Sequence, residues 1–97
     1  MRGYELGVIL HPDLEEADVT AAIETIGEYV QNNGGQVASV NVWGRRALAY
    51  PIRRQQNGIY AFLDIQLESS AMGELDRSLK LDEKVLRFML VRPDDEN

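Results

Sequence analysis

Seven arginines and a small set of apolar and aromatic side chains are the residues of this sequence whose types suit work at a surface. Arg2, Arg45, Arg46, Arg53, Arg54, Arg87 and Arg92 carry planar, permanently charged guanidinium groups. Such groups make bidentate contacts with phosphate or carboxylate and stack on bases. Arg45-Arg46 and Arg53-Arg54 flank a segment containing Tyr50-Pro51. The bland reading of each pair is a solvated strand edge where charge blocks edge-to-edge pairing; contact with phosphate or carboxylate is the reading preferred here. The residues that catalysis needs are missing. The one histidine, His11, precedes Pro12 in a turn and has no companion ligands at metal-binding spacing. Gly34-Gly35 follows a helix, whereas a phosphate-cradling loop leads into one. Asp64 has no second carboxylate or nucleophile to act with. Trp43, before Gly44, reads as a packing anchor. No cysteine is present, which excludes disulfides and thiolate sites. The expectation is a protein that is not an enzyme and carries no cofactor or metal.

The elements that position these residues follow from hydrophobic spacing. Tyr4, Leu6, Val8 and Leu10 alternate along a first strand that ends at His11-Pro12-Asp13. Asp13 and Glu16 have capping-box spacing, and Val19, Ala22, Ile23, Ile26 and Val30 recur at helical spacing. Asn32-Asn33-Gly34-Gly35 stops that helix. Val37 to Val42 reads as a second strand, with Arg46 to Ile52 as its continuation or return and a bulge or bend at Gly44. Asn57-Gly58 is a hairpin signal, and Ile59 to Leu67 forms a third strand. Ser69 or Ser70 is expected to cap a second helix built on Met72, Leu75 and Leu79, and Val85 to Val91 forms the fourth strand. The order β-α-β-β-α-β predicts an α+β, ferredoxin-like sandwich, a four-stranded antiparallel sheet with both helices on one face. Residues 1–93 make up the domain and 94–97 a disordered acidic tail.

The all-aliphatic row of the third strand (Ile59, Ala61, Leu63, Ile65 and Leu67) belongs under the helices. The opposite face then carries Ile9, Tyr60, Phe62, Met89 and Val91, joined by Leu48 or Tyr50. A contiguous apolar patch of this kind marks a binding surface unless a loop or second copy covers it. Leu48, Tyr50, Tyr60, Phe62 and Met89 are therefore the candidate partner contacts.

Charge sharpens the picture. The 97 residues hold 10 Lys+Arg against 16 Asp+Glu, a net −6, which taken whole argues against a nucleic-acid binder. Residues 1–40 hold one cation and seven acids, however, while residues 41–93 hold nine cations and six acids. Charges more than about 10 Å apart are screened at 0.1 M salt, so a basic region can survive beside an acidic helix. No run of about 18 apolar residues is present, and the start is not a secretory signal, so a cytoplasmic protein without a membrane partner is expected.

Particular stretches carry a resemblance. Met1-Arg2-x-Tyr4-Glu5, His11-Pro12-Asp13, the run from Trp43-Gly44-Arg45-Arg46 through Leu48-Ala49-Tyr50-Pro51-Ile52, and the strand Val85 to Arg92 resemble the bacterial small-subunit ribosomal protein six family. The resemblance implies a ferredoxin-like fold and a structural place in the small ribosomal subunit. It further implies binding to the central domain of 16S ribosomal RNA together with small-subunit ribosomal protein eighteen. By position it offers Arg2, Arg45, Arg46 and Arg92 as RNA contacts; Arg53, Arg54 and Arg87 rest on charge alone. The free chain is expected to be monomeric. Two other readings stay open: a stand-alone RRM-like sheet binding single-stranded RNA, for which Gly58-Ile59-Tyr60-Ala61-Phe62 is a faint signal, and a ferredoxin-like dimer paired through its open face.

Overall fold

The computed structural model describes residues 1–92; the expected domain end at residue 93 and the acidic tail at 94–97 lie outside the described residues. The elements run β1 (Arg2–Leu10), α1 (Glu16–Asn32), β2 (Gln36–Ile52), β3 (Gln55–Leu67), a single 3-10 turn (Ser69–Ala71), α2 (Met72–Leu81) and β4 (Val85–Val91). The strands form one sheet in the order β2-β3-β1-β4, with every neighbouring pair antiparallel. This is the ferredoxin-like sandwich that the element order predicts.

The core forms where the period-2 rows of the strands meet the period-3.6 stripes of the helices. Leu6, Val8 and Leu10 of β1 and Leu63, Ile65 and Leu67 of β3 are sealed beneath Val30 and Ile26 of α1 and Leu75 and Leu79 of α2. Each large aliphatic side chain buried this way contributes roughly 1.5–3 kcal/mol. Tyr29 ties α1 to the 3-10 turn that leads into α2 by donating its hydroxyl to the Ala71 carbonyl at 2.8 Å.

Three local expectations are corrected. α1 is not capped by Asp13: its N-cap is Glu15, without a side-chain bond. The Asp13 N–H is instead held by Nδ1 of His11 at 3.1 Å, and the cap falls two residues later because the chain first turns to pack Leu14 against the core. α2 starts after Ala71, and the two serines form the 3-10 turn leading into it rather than a cap. The hairpin turn is Arg53-Arg54, between the paired residues Ile52 and Gln55. Both arginines have positive φ, 48° and 66°, as a two-residue primed turn requires. Asn57 and Gly58 lie inside β3, paired with Ala47 and Arg46. Gly58 is there for space, since a Cβ would fall 2.3 Å from Cγ2 of Ile9.

β2 is one strand, interrupted three times. Its register shifts between Val37 and Ser39, between Val42 and Gly44, and between Ala47 and Ile52, where residues 48–51 oppose only Gln56. Gly44 takes φ 86° at the second of these, a conformation that costs glycine little.

Candidate protein and nucleic-acid interface

The sheet face turned away from the helices has no element laid over it among the described residues. Across its middle, Gly7 of β1 pairs with Phe62 on one side and Met89 on the other. Ile9 lies opposite Tyr60 and Arg87. The Phe62 ring lies over Gly7, 3.0 Å from where a Cβ would stand, and a hollow of about 250 Å³ is bounded by Gly7, Ile9, Tyr60, Phe62, Arg87 and Met89. Met89 is 56% exposed. Val91 continues the β4 row opposite Glu5.

Trp43 belongs to this face, not to the interior. It is 49% exposed, its ring centroid lies 4.6 Å from that of Phe62, and the Arg46 guanidinium sits 5.3 Å from the Trp43 centroid. Three residues apart, Trp43 and Arg46 would point to opposite faces of a regular strand. The Gly44 bulge resets the alternation and brings them together. The signal in the sequence was Gly44 itself, read there as a bulge or bend without its consequence for parity. Beside this stack the face turns polar: Ser39 donates to the Asp64 carboxylate at 2.7 Å.

The wide bulge at residues 48–51 carries the β2–β3 arm over the end of the sheet. Leu48 packs above Gly58. Tyr50, 55% exposed, accepts a hydrogen bond from Nη1 of Arg87 on β4. At the tip, Nη1 of Arg53 donates to the Glu83 carbonyl at 3.4 Å. At the arm's root, Arg45 donates to the Pro12 carbonyl. Arg45, Arg53 and Arg87 thus fasten the arm to the body.

The seven candidate arginines (the eighth in the chain, Arg77, lies on α2) do not form one patch. Arg45, Arg46, Arg53, Arg54 and Arg87 gather around the arm, at the end of the sheet where β1 finishes. Arg2 opens β1 opposite Leu67, and Arg92 follows β4 at that same far end. The rise of a strand puts Arg92 about 17 Å and Arg2 about 23 Å from Arg87. The candidate partner residues Leu48, Tyr50, Tyr60, Phe62 and Met89 all lie on or over the open face. Burial first, and then the Glu74 carboxylate, hold the Tyr29 pKa above the ordinary tyrosine value. Tyr29 lies on the helical side, away from this surface. Among the described residues no cluster of His, Cys, Asp and Glu is placed to hold a metal ion, and no helix is long and apolar enough to cross a membrane.

Comparison with known proteins agrees with this geometry. The chain is similar to small ribosomal subunit protein bS6 of Acidothermus cellulolyticus, 49% identical over 94 residues that cover 97% of this chain and 98% of that one. Against the protein of the same name from Streptomyces coelicolor the identity is 47% over 94 residues, with the same two coverages. In structure it is similar to 30S ribosomal protein S6 from Thermotoga maritima, with a TM-score of 0.90 at 22% identity, covering 97% of this chain and 89% of that one. A family profile described as ribosomal protein S6 matches residues 3–92. A match over that span, with near-half identity to full-length relatives, leaves one conclusion: the chain belongs to the ribosomal protein S6 family.

Proposed function

We propose that this protein is an architectural piece of the ribosome that docks a second ribosomal protein on its open sheet face and meets RNA through its arginines. Family membership makes it a structural, non-enzymatic constituent of the small ribosomal subunit, at work on the ribosome in the cytoplasm. The finer reading is that it binds the central domain of 16S ribosomal RNA jointly with small-subunit ribosomal protein eighteen. The observation that carries it is an uncovered apolar face bearing the tilted Trp43–Phe62 aromatic pair, with arginines at its rim. Aromatic and arginine side chains around a desolvated hollow are the usual anchors of a protein interface. Phosphate contacts then position the pair on RNA.

On this reading Leu48, Tyr50, Tyr60, Phe62 and Met89 meet protein. Arg2, Arg45, Arg46, Arg53, Arg54, Arg87 and Arg92 are the pool from which RNA contacts are drawn. Arg46 and Arg54 are the most available of the arm group, since Arg45, Arg53 and Arg87 already hold the arm. The free chain is a monomer.

The test is a Tyr60→Ala, Phe62→Ala double variant, with binding of protein eighteen and of a central-domain RNA fragment measured separately. The expected result is a loss of partner affinity of at least about a hundredfold, because truncated anchors cost about 2 kcal/mol or more each. RNA binding by the isolated chain should be weak before and after. Tight single-stranded RNA binding by the isolated chain, abolished in the variant, would establish the RRM-like reading instead. A stable dimer of the free chain in sedimentation, lost in the variant, would establish self-association.

A further inference from the structure

A second surface lies on the helical side of the sheet, where α1 stops short of the edge strand. β2 is an outer strand, and the row it presents to the helices is only half covered: Val40 is 47% exposed and Val42 48%. Between this row and α1 runs a groove of about 330 Å³. Its floor is Ile23, Gly27, Val37, Val40 and Leu63, and Glu24 and Glu28 stand on its α1 rim. From Ser39 to Val42 the strand pairs regularly with β3 between two bulges, and that run holds no charge and no proline. Charge, proline and cover are the devices that ordinarily silence a strand edge. Here the apolar side chains and the outer backbone groups both remain unmatched among the described residues.

The chemistry of the rim says what fits. α1 carries Glu16, Asp18, Glu24 and Glu28 and no lysine or arginine. None of these four acids takes part in the ion pairs found among the described residues. An RNA strand is repelled by that field. A second copy pairing its own β2 edge here would set two acidic α1 helices side by side. The chain's own acids at 94–96 carry the same sign. What matches is an extended protein segment with apolar residues at alternate positions and lysine or arginine between them, adding a strand to β2.

We propose that the β2 edge and the acidic α1 rim form a docking groove for a basic, extended segment of a partner protein, distinct from the open face on the other side of the sheet. The groove accepts alternate apolar side chains beside Val40 and Val42, while Glu24 and Glu28 meet the intervening cations.

The experiment uses the intact chain and two probes, a heptapeptide alternating lysine and valine and its counterpart alternating glutamate and valine. Binding is read by amide chemical shifts and by hydrogen exchange. The lysine peptide should bind about tenfold or more tighter than the glutamate peptide, a preference that fades with salt. It should also slow exchange of amides within residues 39–42. Val40→Lys, at a half-exposed site, should abolish binding without unfolding the chain. The Glu24→Lys, Glu28→Lys variant should turn the preference toward the glutamate peptide. The Tyr60→Ala, Phe62→Ala variant should bind the lysine peptide as the parent does, which keeps this result separable from the open-face reading. Equal affinity for the two peptides, no binding, or protection confined to the open face would overturn the proposal. Self-association of the free chain that Val40→Lys removes would also overturn it, in favour of a second copy.

Discussion

Tyr29 shows how a single side chain couples stability to proton chemistry in this protein. Its hydroxyl joins α1 to the start of α2 through the Ala71 carbonyl, and burial followed by the Glu74 carboxylate raises its pKa. A group raised in the folded state holds its proton more tightly there than in the unfolded chain. Its contribution is therefore complete below the unfolded value, about 10 for tyrosine, and is lost as pH rises through the raised folded value. Tyr29→Phe should cost about 1 kcal/mol at neutral pH for the lost bond. It should also flatten the alkaline decline, as measured by urea unfolding at neutral pH and above pH 10. Trp43 makes a different point at the same scale. Its type alone marked it as an anchor, and only the parity change at Gly44 shows that it anchors Phe62 and Arg46 on an exposed face.

Among the elements, the β2–β3 arm departs furthest from what a local reading predicts. Asn57-Gly58 has the composition of a primed turn, yet the chain turns at Arg53-Arg54, and both arginines sit in the left-handed region. A non-glycine residue there costs roughly 1–2 kcal/mol. The register is instead dictated by the sandwich: Gly58 must sit over Ile9, and the aliphatic row of β3 must face the helices. The strain is tolerated at the tip, where Arg53 reaches the Glu83 carbonyl and two cations are presented together. Replacing the pair as Arg53→Asn, Arg54→Gly should raise the unfolding free energy by about 1 kcal/mol. It should simultaneously weaken binding of the partner-loaded protein to RNA. Denaturation midpoints and filter binding measure the two effects. A gain in stability with RNA affinity unchanged would remove the tip from the RNA surface. The strands and helices themselves were legible, because Val19, Ala22, Ile26 and Val30 bury one helical stripe and Leu6, Val8 and Leu10 one strand row. The caps were not legible: Asp13 and the two serines lose their expected roles to packing of Leu14 and to the 3-10 turn.

At the scale of the molecule, the net charge of −6 resolves into separated faces. α1 carries four uncompensated acids on the helical side, while five of the eight arginines cluster at the arm and Arg2 and Arg92 stand at the other end of the sheet, about 17 to 23 Å away. Phosphates bound across such a divided surface displace few counterions. The isolated chain should therefore bind RNA weakly, with a shallow dependence of log affinity on log salt. The slope should steepen once a basic partner joins, by about one unit for each added phosphate contact; titrations across a salt series measure both slopes. The sequence by itself determined the element order, the ferredoxin-like sandwich, the buried rows and the family, because burial periodicity and short motifs are local properties of the chain. It also singled out the candidate residues, but not their grouping. Only the tertiary structure decided that Trp43 and Arg46 share a face, that Tyr50 meets Arg87 across the sheet, and that the acidic helix stops short of Val40 and Val42. Bulges change the parity of a strand, and contacts between residues distant in sequence form only after the sheet has set their register.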